Sequence, residues 1–227
     1  SAELYSEIGS FSTNRSGLSL GFSGSDLHAR LSANHLETDG DNISRFGDEK
    51  DGYRNRTFNL SAGARVNRNL SLSLAARSQD STNQFDADAD FDGLVEDRDR
   101  ETDSKGTNFG LTIKYNSADD QWRHRVSLSS AEFDNSNFSD GRNDGTTESR
   151  KVRYQYVGSR LWDKLGQQLS VMVESEEEEY RQSGGYAFGS DADTMIKRKT
   201  DSWAFEYRAN PLESLTLGVS ARYDKND

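Results

Sequence analysis

Carboxylates crowd one short stretch of this 227-residue chain: Asp86, Asp88, Asp90, Asp92, Glu96 and Asp99. From Asp88 the run reads D-x-D-x-D-G-x-x-E-x-x-D, close to a calcium-binding loop, with Gly93 where such a loop turns sharply. Calcium takes about six to eight hard oxygen ligands. Alternate Asp side chains can turn several carboxylates inward, and the Leu94 carbonyl, Glu96 through a water and Asp99 can complete the shell. Asp80 and Asp103 are further candidates. The run ends in Asp99 rather than a bidentate Glu, and no helices are expected beside it, so it is not a helix-loop-helix hand. The competing reading is a solvated acidic loop.

The other chemical candidates are weaker. Glu174, Glu176, Glu177, Glu178 and Glu179 could attract cations or could mark a solvated strand end. His28, His35 and His124 are scattered, no Ser, His and acid spacing assembles a nucleophile, and there is no Cys. No enzyme is indicated. A net charge of -11 argues against nucleic acid as a partner.

The elements that must position these residues are strands. Phe58, Leu60, Ala62, Ala64 and Val66 alternate with polar or small residues. So do Leu70 to Ala76, Phe109 to Tyr115, Trp122 to Leu128, Leu169 to Val173, Trp203 to Ala209 and Leu215 to Tyr223. This period of two puts apolar side chains on one face. The pattern predicts roughly eleven strands, near 3–13, 16–23, 26–37, 53–66, 69–80, 105–116, 121–133, 149–161, 167–180, 198–209 and 214–224. Most reach or exceed the about 9–11 residues that a tilted strand needs to cross a bilayer. Only 32% of the chain is hydrophobic, which suits a barrel wall, where every second strand residue meets lipid and the rest stays polar. No apolar run is long enough for a spanning helix.

Connections alternate in length. Short turns are expected at Ser23–Ser25, Asn67–Arg68, Asn116–Asp120, Trp162–Gly166 and Asn210–Glu213, and long polar loops near 38–52, 81–104, 134–148 and 181–197. Trimming at one end and elaboration at the other is the asymmetry of outer-membrane barrels. Tyr115, Trp122, Trp162 and Tyr223 fall where an interfacial aromatic girdle belongs. Arg65, Arg77, Arg123, Arg125, Arg153, Arg208 and Arg222 fall on or near the polar face, expected to line a lumen.

The run from Glu7 to Arg15, Glu-x-Gly-Ser-Phe-x-Thr-x-Arg, the first long loop with Leu36 to Gly40, and Asp51 to Asn55 resemble the barrel of TonB-dependent receptors. The Asp-rich loop is similar to that of cobalamin receptors. The resemblance implies an all-β, antiparallel up-and-down meander forming part of a transmembrane β-barrel in the bacterial outer membrane. Residues 1–227 would be the N-terminal half of a wall of about 22 strands, with the plug domain and C-terminal strands absent. It further implies uptake of cobalamin or an iron siderophore, calcium ordering of the loop, contact with outer-membrane lipid, and energy from a TonB-type protein through the plug. The alternative is a soluble all-β binding or adhesion module, which would fold its apolar stripes into a core.

Overall fold

The computed structural model describes residues 1–44, 47–88, 91–162, 166–184, 186–187, 190–191, 193–212 and 214–227. The strands are β1 (Ala2–Ile8), β2 (Asn14–Ser23), β3 (Leu27–Thr38), β4 (Tyr53–Arg65), β5 (Leu70–Gln84), β6 (Arg100–Asn116) and β7 (Trp122–Ser139). They continue with β8 (Arg142–Trp162), β9 (Gln167–Ser183), β10 (Tyr186–Ala187), β11 (Ser190–Asp191), β12 (Thr194–Leu212) and β13 (Leu215–Asn226). Eleven of them make one sheet in the order β1-β2-β3-β4-β5-β6-β7-β8-β9-β12-β13, every neighbour antiparallel, while β10 and β11 pair separately.

Register confirms the alternation. One row of directly opposed residues runs Leu27, Ala64, Leu72, Ile113, Val126, Tyr156, Val173, Trp203, Tyr223 across nine successive strands of the sheet. Side chains alternate faces along a strand, so a one-residue slip in any pair would throw this row onto the other side. The opposite face carries Ser32, Asn59, Arg77, Ser127, Arg153 and Arg222. All seven expected lumen arginines have this parity.

No core lies between layers. Among the described residues, Ala209 is the one buried apolar residue and no large side chain is fully buried. The chain exposes 15556 Å², where a compact protein of 25.4 kDa would expose about 10,000 Å². A soluble module would have closed its stripes on themselves, whereas here Leu217, Val219 and Trp203 remain more than half exposed. Lipid is the medium that suits such a face.

Boundaries differ from expectation in four places, the last being the loop expected near 181–197, which β9 enters as far as Ser183 and β12 shortens by starting at Thr194. β1 stops at Ile8, because Phe11 and Ser12 take positive φ in a turn closed by the Gly9 N–H donating to the Thr13 carbonyl at 2.8 Å. The polar stretch 134–148, expected as a loop, is instead the end of a continuous β7–β8 hairpin turning on Asp140 (φ 51°) and Gly141 (φ 70°), as a two-residue turn of this hand requires. Polar side chains were no obstacle, since a strand end above the lipid can pair through groups such as Ser136 and Thr146, 3.0 Å apart. The third concerns the 81–104 region, where β5 and β6 extend until only 85–99 remains between them. Pro211 sits beyond the register shift between Ala209 and Leu212, where no ladder bond is lost. Parts of the expected turns at Trp162–Gly166 and Asn210–Glu213 lie outside the described residues.

The facing assignment predicts unequal effects of adjacent substitutions. Leu128→Arg should weaken barrel assembly in lipid vesicles by about 2–4 kcal/mol, while Ser127→Arg, on the face where Ser127 meets Thr112, should be mild. Equal losses in a urea titration of the intact barrel would contradict it.

Candidate functional site

The polar extensions of the strands and the connections between them hold most of the charged side chains. At the long-loop end the connections are tied in series. The Asp39 N–H donates to the Phe11 carbonyl in the β1–β2 turn at 2.9 Å, and the Ser44 N–H to Asp86 Oδ2 at 3.2 Å. The Ser44 hydroxyl donates to the Val95 carbonyl at 3.1 Å, and the Asp140 N–H at the β7–β8 tip to the Asp99 carbonyl at 2.8 Å. The result is a linked rim around one mouth of the wall.

Within it, the expected metal ligands serve as acceptors for the loop's own backbone. Asp86, 8% exposed, takes Ser44 N–H on one oxygen and Arg98 N–H on the other. Asp88 takes the N–H groups of Asp92 and Gly93 at 3.1 and 2.9 Å, and Asp92 that of Leu94 at 2.8 Å. Gly93 has φ 88°, the turn its type foreshadowed. Glu96 pairs with Arg98. Asp99 contributes its carbonyl to the rim, Asp90 lies outside the described residues, and Asp80 and Asp103 stand on the outward faces of β5 and β6, Asp103 accepting from Thr82 at 2.6 Å. Among the described residues no three His, Asp or Glu side chains are gathered as a metal shell.

What the loops do share is negative charge. Glu49 has its carboxyl pushed above the ordinary range by burial and then by Asp99, Asp97, Asp86 and Asp51. Asp51 is pushed up by burial and by Asp86, against an opposing backbone hydrogen bond from Ile43. Asp51 Oδ2 and Asp97 Oδ1 are buried with no hydrogen-bond partner among the described residues. Of this inter-loop group, Asp86 and Asp99 were in the expected ligand set, whereas Glu49, Asp51 and Asp97 were not.

The polar face of β8, β9, β12 and β13 holds a second cluster. Lys151 reaches Glu176 at 2.7 Å and Glu178 at 2.8 Å, Arg153 donates to Glu176 at 2.6 Å, and Arg198 pairs with Glu178. Gln155 donates to Glu174 at 2.7 Å, and Arg222 reaches Glu174 at 3.3 Å and Asp224 at 2.8 Å. The acidic run therefore divides by parity: Glu174, Glu176 and Glu178 form an inward ladder in which Glu174 is 8% exposed, while Glu177 and Glu179 face outward. Neither a solvated end nor a cation trap describes it. The signal was available in the opposite charges at Lys151, Arg153, Arg198 and Arg222, which only the register brings alongside. Beside the ladder lies a depression of about 590 Å³, lined on this face by Phe133, Tyr180, Ile196, Lys151, Glu178 and Arg198.

No protein-family model and no curated protein matches the sequence. Solved structures do. The ferripyoverdine receptor of the outer membrane of Pseudomonas aeruginosa superposes with a TM-score of 0.67 at 13% identity, over 99% of this chain and 37% of that one. The alcaligin outer-membrane receptor of Bordetella pertussis gives 0.69 at 15% identity, over 98% and 35%. The chain has the barrel-wall fold of outer-membrane siderophore receptors. The same fold is found in the RagAB peptide importer, at a TM-score of 0.65 and 10% identity, covering 94% of this chain and 32% of that one. Against each of these receptors the chain spans less than two fifths of the length, as a wall segment would.

The rim's charge predicts a pH effect with a definite sign. Raised carboxyl pKa values mean that the repulsion between loops is present at neutral pH and fades as pH falls through the raised values toward the ordinary range. Hydrogen exchange at 47–52 in the intact protein, corrected for intrinsic rates, should therefore slow as pH is lowered from neutral toward the ordinary carboxyl range, and Asp51→Asn should slow it at neutral pH. Faster exchange on acidification would contradict the assignment.

Proposed function

We propose that this chain is part of the wall of a TonB-dependent receptor in the outer membrane of a Gram-negative bacterium, a transporter rather than an enzyme, which takes up a ferric siderophore. The observation that carries the reading is the continuous apolar row facing away from a charged, hydrogen-bonded face, with no core to receive it. The fold shared with the ferripyoverdine and alcaligin receptors supports it. Lipid would cover the outward face, and the rest of the wall, the plug and the TonB contact would belong to the longer protein.

In this reading the inward depression beside the Lys151, Glu176 and Glu178 ladder is the ligand vestibule. Its exposed Phe133, Tyr180 and Ile196 offer apolar contact, and its ion pairs fix the wall around them. The rim above narrows the entrance, and a pre-ordered rim loses less entropy on capture. Calcium enters as a loop-ordering cation that would act at neutral pH as protons do at lower pH, drawn to Asp86, Asp88, Asp92, Glu96 and Asp99 and the carboxylates beside them. Cobalamin is the second reading, favoured by the Asp-rich loop alone.

Fluorescence quenching of the intact receptor in detergent, against a panel of ferric siderophores and cyanocobalamin with and without calcium, separates these readings. A ferric siderophore should bind tightly, and Phe133→Ala should weaken it about tenfold. Binding of cyanocobalamin alone would replace the siderophore reading, and binding of neither would remove both.

A further inference from the structure

Between the short turns and the upper charged belt, the outward face is apolar or neutral at nearly every position the register places there. His124 and Arg160 are the basic side chains that interrupt it among the described residues. Arg160 opposes Trp122 on one side and Leu169 on the other, so it shares the face of the row through Val126, Tyr156 and Val173. Its guanidinium lies 4.6 Å from the centroid of the Trp122 ring and 5.6 Å from that of Trp162. Trp122 stacks parallel to His124 at 6.2 Å with 5° between planes. His124 in turn stacks on Tyr115 and Tyr156 and has its Nδ1 2.8 Å from the Tyr156 hydroxyl.

A guanidinium on a lipid-facing wall needs an anion or water. Among the described residues, the hydrogen-bond acceptor of Arg160 is the neutral Gln121 Oε1 at 3.2 Å, and no carboxylate lies within ion-pair distance. Asp119 on the adjoining turn lies near enough to feel the Arg160 charge, but beyond ion-pair distance, and its carboxylate accepts from the Ser117 hydroxyl and the Gln121 N–H. The two indoles lie against the guanidinium, and the apolar surface of Leu169 and Val126 continues from it across the sheet.

We propose that Arg160, Trp122, Trp162 and His124 form a headgroup site for an anionic phospholipid of the leaflet on the short-turn side. The phosphodiester meets Arg160, whose forked donors match two phosphate oxygens. The indoles cover the glycerol region, as tryptophans do at membrane interfaces. The acyl chains lie along the Leu169, Val171 and Val126 surface. This rests on the membrane-wall reading but not on which nutrient is carried. The site would fix the height of β7 and β8 in the bilayer, beneath the strands that hold the inward ladder.

Native mass spectrometry of the intact receptor, released from detergent after titration with phosphatidylglycerol or phosphatidylcholine, tests it. Wild type should retain one phosphatidylglycerol with about fivefold preference. Arg160→Gln should lose that preference, Arg160→Lys should keep part of it, and Arg208→Gln, inward and paired with Glu206 at 2.5 Å, should keep all of it. Should Arg160→Gln fail to assemble, judged by heat-modifiable gel migration, Trp122→Ala gives the same reading through the lost indole. Equal retention of phosphatidylglycerol by wild type and Arg160→Gln, or equal retention of both lipids by wild type, overturns the headgroup site alone. Absence of any lipid adduct overturns the membrane-wall reading with it.

Discussion

Backbone N–H and C=O groups in hydrocarbon find no water, so each must pair with a neighbouring strand. In this chain that requirement is met by ten successive antiparallel ladders, and everything else follows from their register. Because side chains alternate, one ladder fixes both what meets lipid and what meets the interior. The row from Leu27 to Tyr223 and the inward run of arginines are two readings of the same hydrogen bonds. A single slipped pair would expose Arg153 to lipid and turn Val173 inward.

The register also explains why the strands grow past the membrane. β8 has 21 residues, about twice what a spanning strand needs. Above the apolar row the outward face changes to opposed charges: Arg56, Asp80, Lys105 and Asp134 alternate in sign along one row, and Arg150 meets Glu132 at 3.1 Å. The same strand extensions carry the inward ladder and the depression beside it, and they place the linked rim over that mouth. The apolar row, the inward ladder with its depression and the linked loops are thus successive levels of one hairpin array. The short-turn end instead gathers Tyr115, Trp122, His124 and Trp162 on the outward face.

The sheet was legible in the sequence because its period needs only the local pattern of Leu70, Leu72 and Leu74 or Trp203, Phe205 and Tyr207. The β7–β8 hairpin was misjudged because Asn135, Asn137 and Thr146 have loop-like composition, and composition does not report whether a polar strand lies above the lipid. Site residues were harder. Asp86 was identified as chemically important, yet its partners Ser44 and Arg98 come from a different loop and from its own far end. The Glu176 ladder depends on Lys151 and Arg153, distant in sequence, and only cross-strand pairing brings them together. Local spacing finds elements, whereas sites made between elements wait for the register.

The chain has no Cys of its own, so single spin labels can be introduced at chosen positions along a strand. Labels at positions 70 to 75 in the intact receptor, reconstituted in liposomes, report the medium at each residue through collision with oxygen or with a water-soluble nickel complex. Positions 70, 72 and 74 should favour oxygen, and 71, 73 and 75 should favour nickel, in strict alternation. Uniform accessibility, or burial of the even positions from both reagents, would contradict a single-layered wall with its apolar face in lipid.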